Sequence, residues 1–198
     1  MHLKLAATTL ALALPLAAGA EPVTYEIDPD HTFPHFMVQH LGVSWMHGRF
    51  NKTSGKLVLD RAAKTGSVEV TIETASVDTG THELRGRTRT RDEHLRTADF
   101  FNVQEFPTMT YKGSAKWSGE WPSEVQGQLT LLGVTRPVNL KVDGFGCAPD
   151  PRMKGKREVC GANASGSFMR SDFGMKFAIP GVSDEIRLQV QFEALRPL

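Results

Sequence analysis

Only two cysteines occur in the 198-residue sequence, and beyond its N-terminal end no apolar run approaches the roughly 20 residues that cross a bilayer. That argues against a helical membrane span and leaves one intramolecular cysteine pairing, Cys147 with Cys160. Charge of one sign is missing too. Setting aside Lys4, which lies in the leader described below, 22 basic residues face 22 acidic ones and offer no global attraction for nucleic acid. The signatures of nucleophilic and metal chemistry are also absent. There is no G-x-S-x-G, and the two cysteines have no matching histidine pair at zinc-ligand spacing. Asp172-Phe173-Gly174 spells a kinase motif, but neither the Gly-rich loop nor the catalytic loop accompanies it.

What is present begins with a leader. Lys4 gives a positive start, Leu5 to Leu16 an apolar run, and Ala18-Gly19-Ala20 small residues before Glu21, the layout of a secretory signal peptide cleaved after Ala20. Residues 21–198 are then expected to form one domain, long enough for a good core. Export carries the cysteines into an oxidising compartment, so a Cys147–Cys160 disulfide is expected, and closing a loop of this size contributes about 3 kcal/mol in the chain-entropy model. The loop APDPRMKGKREV between them, with Pro149, Pro151 and Gly155, cannot build a core of its own.

One stretch reads as helical. Thr90-Arg91-Asp92-Glu93 fits a capping box, and Leu95, Ala98 and Phe101 recur at helical spacing, with Phe100 widening the apolar face. Pro107 ends it, and the rest alternates as strands do. Candidate strands are 23–27, 31–40, 43–50, 56–60, 68–74, 108–112, 124–132, 138–142, 161–170 and 185–193, and the last carries the cleanest period-two run, Ile186, Leu188, Val190 and Phe192. Pro34 marks the second of these as an edge or irregular strand. The pattern is all-β: about eight antiparallel strands and one short helix near 90–101, closed as a barrel or stacked as a sandwich. An eight-stranded barrel is either filled by its side chains or holds one ligand. Gly48, Val38, Val70, Gly127 and Gly166, all inward candidates, leave room.

HTFPHFMVQHLGVSWMHGRF, RDEHLRTADFFNVQEFP, GQLTLLGVTRPVNL and RSDFG followed by VSDEIRLQVQFEA resemble, in order and spacing, the YceI-like proteins, across essentially the whole mature chain. Pro34 departs from the resemblance, since the family more often has a β-branched residue there. The resemblance implies an elongated, eight-stranded, lipocalin-like barrel in the bacterial periplasm that holds a long isoprenoid chain in an apolar tunnel and has no catalytic residues. On that reading a polyprenyl quinone or polyprenyl phosphate would touch Phe36, Val38, Met46, Val70, Ile72, Leu95, Phe100, Phe101 and Met109. His94, in the matching RDEHL, would shape the mouth. The bound isoprenoid lipid or quinone is itself the partner; no other cofactor is required, and there is room for transient contact with a membrane or a membrane redox protein.

Other residues invite sharper readings. Arg85, Arg87, Arg89 and Arg91 alternate through LRGRTRTR, so an extended segment would aim them at one anionic head group, although exposed arginines are commonly just solvated. His31, His35, His40 and His47 point to different strand faces with no carboxylate placed to complete a metal site, and no metal is expected. Arg170, in phase with Phe168, reads as an inward charge that needs a carboxylate such as Asp92. The competing functions are an enzyme acting on an isoprenoid lipid, for which no nucleophile, base and oxyanion set is visible, and a packed-barrel structural module.

Overall fold

A computed structural model describes residues 21–81 and 83–197; the expected signal peptide lies outside the described residues. The strands are β1 (Val23–Ile27), β2 (Phe33–His40), β3 (Ser44–Phe50), β4 (Thr53–Asp60), β5 (Thr65–Glu73), β6 (Val77–Asp78), β7 (Thr108–Ser118), β8 (Trp121–Leu131), β9 (Val134–Pro137), β10 (Leu140–Pro149), β11 (Glu158–Met169) and β12 (Val182–Leu195), with the helix α1 (Arg91–Leu95) between β6 and β7. Several are halves of one broken strand. β1 runs on into β2 along β12, β3 into β4, β5 into β6 and β9 into β10, so the sheet is a meander of eight antiparallel staves. It closes because β12, the longest strand, pairs with β2 from Val182↔His40 to Gln191↔Phe33 and with β1 at Ala194↔Ile27. A closed barrel has no unpaired edge to protect.

Closure decides what Pro34 can be. β2 is not an edge strand: it lies between β12 and β3. Pro34 is tolerated because it pairs with Val190 on one side, while pairing to β3 begins only at His35. The cysteine loop is also tighter than the sequence suggests. β10 and β11 pair through Cys147↔Cys160 to Pro149↔Glu158, so the disulfide staples two facing residues and only residues 150–157 turn. Asp150, wholly buried, anchors that turn by accepting from Arg152 Nε at 3.0 Å and Arg157 Nη2 at 2.6 Å.

The helix starts as expected and stops sooner. Thr90 Oγ1 accepts from Glu93 N at 3.1 Å and Glu93 Oε2 accepts from Thr90 N at 2.6 Å, which completes the capping box. After Leu95 the chain tightens into turns. The Thr97 hydroxyl donates to His94 O, Phe101 N to Leu95 O, and Asn102 takes a φ of 43°. Five helical residues cannot stand alone, so tertiary bonds hold this segment. Buried Asp92 accepts from Thr79 N and Oγ1, and Arg96 donates to the carbonyls of Ala75 and Val77 beside β6.

Up-and-down order puts the connections 41–43, 79–107, 132–133 and 170–181 at one end, called here the wide end, and 61–64, 119–120 and 150–157 at the other. The second end is sealed by a cluster of Tyr25, Leu57, Leu59, Cys160 and Ala194. Over it Tyr25 Oη donates to Glu158 Oε2 at 2.6 Å, and Arg61 Nη2 to Glu158 Oε1 at 2.9 Å. Burial and the bond to Glu158 push the Tyr25 phenol up to about 12, so it stays a donor.

Candidate functional site

Alternation sets the inner wall. Phe36 and Val38 on β2, Met46 and Phe50 on β3, Val70 and Ile72 on β5, Met109 and Tyr111 on β7, and Leu188 and Val190 on β12 all point into one cavity of about 730 Å³. The size suits one elongated ligand. Apolar side chains dominate the lining, and Leu95, Phe100 and Phe101 close it from the helical segment. Every sequence-predicted contact residue, from Phe36 to Met109 with His94 included, lies on this wall.

The glycines do not supply the empty space expected of them. A Cβ at Gly48 would overlap the Phe36 ring, one at Gly127 the Tyr111 ring, and one at Gly166 the Asn139 carbonyl oxygen and the Leu140 side chain. The large neighbour lies over each glycine across the strand pair, which leaves the barrel centre clear. Phe36 then meets Phe50 at 5.7 Å between ring centres, and Phe50 meets Phe101 edge-on at 5.3 Å. Tyr111 Oη donates to Val138 O at 2.9 Å, and burial pushes its phenol well above the usual range, so its one polar atom is neutral and satisfied.

Polar groups gather at the wide end. His94 Nε2 lies 2.8 Å from Asp99 Oδ2, and its ring packs edge-on against Phe100 and Phe177 at 5.0 and 5.2 Å. Arg87, Arg91 and Thr79 complete the rim. The arginines do not line one side of an extended segment. Arg85 and Gly86 take positive φ, and Arg87 N bonds Leu84 O in a turn, so only Arg87 of Arg85, Arg87 and Arg89 reaches the cavity. Arg85 pairs with Glu83 at 3.6 Å and Arg89 with Asp99 at 3.5 Å. The pairing imagined for Arg170 is also replaced. Its buried guanidinium donates not to a carboxylate but to the carbonyls of Ser183, Met175 and Val182, fixing the loop that carries Phe177. Desolvation lowers its pKa from the ordinary value, with the nearby Asp184 opposing.

Contrary to the sequence reading, carboxylates do flank His31. The ligand atoms of Asp28, His31 and Glu193 lie within 4.8 Å of one another. Arg152 approaches Asp28 to 3.9 Å, however, and His31 Nδ1 bonds Asp28 at 3.0 Å, so much of the negative charge is already matched. The His94–Asp99 pair resembles a base with its orienter, yet among the described residues no hydroxyl or thiol bonds the His94 ring. Arg91, the last of the alternating arginines, does reach the cavity, whereas sequence reasoning missed Phe50, Tyr111, Leu188 and Phe177. The first three were legible from period-two spacing; Phe177 lies in a loop that carries no such signal.

A closed meander around one mainly apolar cavity defines a lipocalin-like barrel. Residues 25–194 match the YceI-like domain, and the chain belongs to the YceI-like family. It is 37% identical over 195 residues to a UPF0312 protein of Pseudomonas aeruginosa (strain LESB58), covering 97% of each chain. Protein YceI of Salmonella arizonae is 37% identical over 192 residues, covering 95% of each. The solved Campylobacter jejuni YCEI protein aligns with a TM-score of 0.63 at 28% identity, over 81% of this chain and 90% of that one. A polyisoprenoid binding domain from Saccharophagus degradans shares the fold, with a TM-score of 0.60 at 16% identity, over 88% of this chain and 99% of that one.

Proposed function

We propose that the protein is a periplasmic, non-enzymatic carrier that holds a long isoprenoid chain of polyprenyl quinone or polyprenyl phosphate type in the barrel, head group toward the wide end. One observation carries this reading: the cavity of about 730 Å³ is lined mainly by apolar side chains, while Arg87 and Arg91 lie at its rim and the buried Arg170 is spent on carbonyls. A flexible hydrocarbon needs no polar partner within the wall, and each CH₂ removed from water contributes about 0.8 kcal/mol. The fold shared with the polyisoprenoid binding domain from Saccharophagus degradans, and membership of the YceI-like family, support the class of ligand. The N-terminal leader pattern, which directs export, supports the periplasmic part of this reading.

The test is native mass spectrometry and organic extraction of protein purified from its exporting host, followed by reloading of the delipidated protein. A co-purifying polyprenyl lipid, or uptake of a polyprenyl quinone or phosphate with saturable stoichiometry, is the expected result. Failure to take up either class would overturn the carrier reading, and turnover of a bound lipid would replace it with an enzyme.

A further inference from the structure

We propose that the wide end of the barrel is a membrane-docking surface, in which an apolar rim enters the interface of an anionic bilayer and Arg87 and Arg91 meet lipid phosphates. What would pass through the mouth rests on the isoprenoid reading; the docking itself does not. Among the described residues, the large hydrophobic side chains left exposed are Leu41, Val43, Leu84, Met169, Phe177 and Ile179. All of them belong to connections 41–43, 79–107 and 170–181 or to the last residue of β11, so every one is at the wide end and none is at the sealed end. Scattered single apolar residues need no explanation; confinement to the rim of one opening does.

The β2–β3 turn gives an independent sign. Within the three-residue connection between the paired His40 and Ser44, Leu41 and Gly42 have φ of 53° and 70° and Val43 N bonds His40 O at 3.0 Å, a β-turn whose two central residues are both left-handed, the geometry that favours Asn-Gly. Leucine is poorly suited to the left-handed region, and here it is also 65% exposed, with Val43 beside it 84% exposed. A local rule broken without an internal gain marks a position used for something else. Leu41 N also bonds Gly181 O at 2.7 Å, which ties this tip to the loop bearing Phe177 and Ile179, so the rim is one connected surface.

A bilayer fits this rim better than a protein does. The apolar residues surround an opening, so a rigid partner could not bury a continuous apolar centre against them, whereas fluid lipid can fill in around each. Arg87 and Arg91 form no hydrogen bond or ion pair through their side chains among the described residues, and guanidiniums beside apolar side chains suit an anionic lipid interface. The bilayer is also where a long isoprenoid would otherwise reside.

The experiment is flotation of the mature protein with vesicles of phosphatidylcholine and of phosphatidylcholine with phosphatidylglycerol, for the wild type and for Leu41→Asn combined with Val43→Ser. Asparagine accepts the left-handed backbone, so the variant should keep its melting temperature, and lost binding would not reflect unfolding. The wild type should float with the anionic vesicles, less so as salt rises, and the variant should partition about tenfold more weakly, as expected when apolar side chains leave the interface. Both should load a polyprenyl quinone equally from detergent micelles. A wild type that loads from micelles but floats with neither vesicle overturns the docking and leaves the carrier reading intact. One that floats but loads nothing supports docking and overturns the carrier. Concentration-dependent dimerisation abolished by the variant, without flotation, assigns the rim to a second copy and overturns the proposal.

Discussion

At the scale of single residues, the buried charges are held in two ways, Arg170 by backbone carbonyls and Asp150 by opposite charge. Arg170 is 1% exposed, and each of its Nε, Nη1 and Nη2 atoms donates to a carbonyl of the loop before β12 or of that strand's first residues. Arg170→Met would leave three carbonyls without a donor, and with partial relaxation about 3 kcal/mol of stability should be lost, read as a lower urea midpoint. Arg170→Lys should recover little, since the three donors of an ammonium radiate from one nitrogen and cannot span carbonyls that the guanidinium reaches from Nε, Nη1 and Nη2. Asp150 works by charge instead: bonds from Arg152 and Arg157 pull its carboxyl down to about 2, against the cost of desolvation. Its folded value lies below the unfolded value of about 3.9. The contribution is therefore full above about pH 4 and is lost as pH falls through the folded value. Wild-type stability should fall between pH 4 and pH 2 more steeply than that of Asp150→Asn, measured as melting temperature against pH. Neither role was legible beforehand. Sequence phase showed that Arg170 points inward, but its acceptors are backbone atoms brought together by a loop and a strand, and no side-chain pattern announces carbonyls.

Among the elements, legibility followed how local the cause was. α1 begins where the sequence says because both halves of its capping box lie within Thr90–Glu93. Its end could not be read, because Phe101 N leaves the helical pattern to reach Leu95 O and so brings Phe100 and Phe101 to the cavity. The strands β10 and β11 outran their sequence signal for a similar reason. Gly144 and Gly146 interrupt the apolar alternation, but pairing across Cys147↔Cys160 continues the hairpin to Pro149↔Glu158. β9 was missed because Arg136 and Pro137 do not look like a strand; it forms as the continuation of β10 along β8. The capping box offers a direct test of what the helical segment does. Thr90→Ala should cost about 1 kcal/mol locally. Because Asp92 and Arg96 tie the same segment to Thr79 and to the β6 region, the loss should appear as faster amide exchange across residues 79–106, with the barrel strands unchanged. Equal acceleration in β7 and β12 would mean that the segment is integral to the barrel rather than a cover on it.

For the whole molecule, the barrel and its inner face were readable because closure lets every stave keep one face to the inside, so that period-two spacing maps directly to the wall. What pattern could not decide was whether the wall meets itself. The answer lies in the placement of Phe36, Tyr111 and Leu140 over Gly48, Gly127 and Gly166, which parks bulk flat against the staves and keeps about 730 Å³ clear. That cavity sets the energetics of the proposed cargo. In water, a five-carbon unit held inside contributes about 4 kcal/mol, so a few units would make release into solution immeasurably slow. Against a bilayer the same apolar burial cancels, because hydrocarbon lies on both sides of the exchange. Loaded protein should therefore hold a polyprenyl quinone through dilution and gel filtration, yet surrender it progressively as vesicles are added, which a fluorescent polyprenyl probe would follow. Val70→Asp, half-way along the wall, should shift that balance. A carboxylate facing the cavity needs water that the chain would exclude, so retention should fall by about a hundredfold or more even before vesicles are added. If Val70→Asp folds, by melting temperature and circular dichroism, and still holds the probe through dilution, the hydrocarbon does not run past Val70 and the cavity axis is not its path.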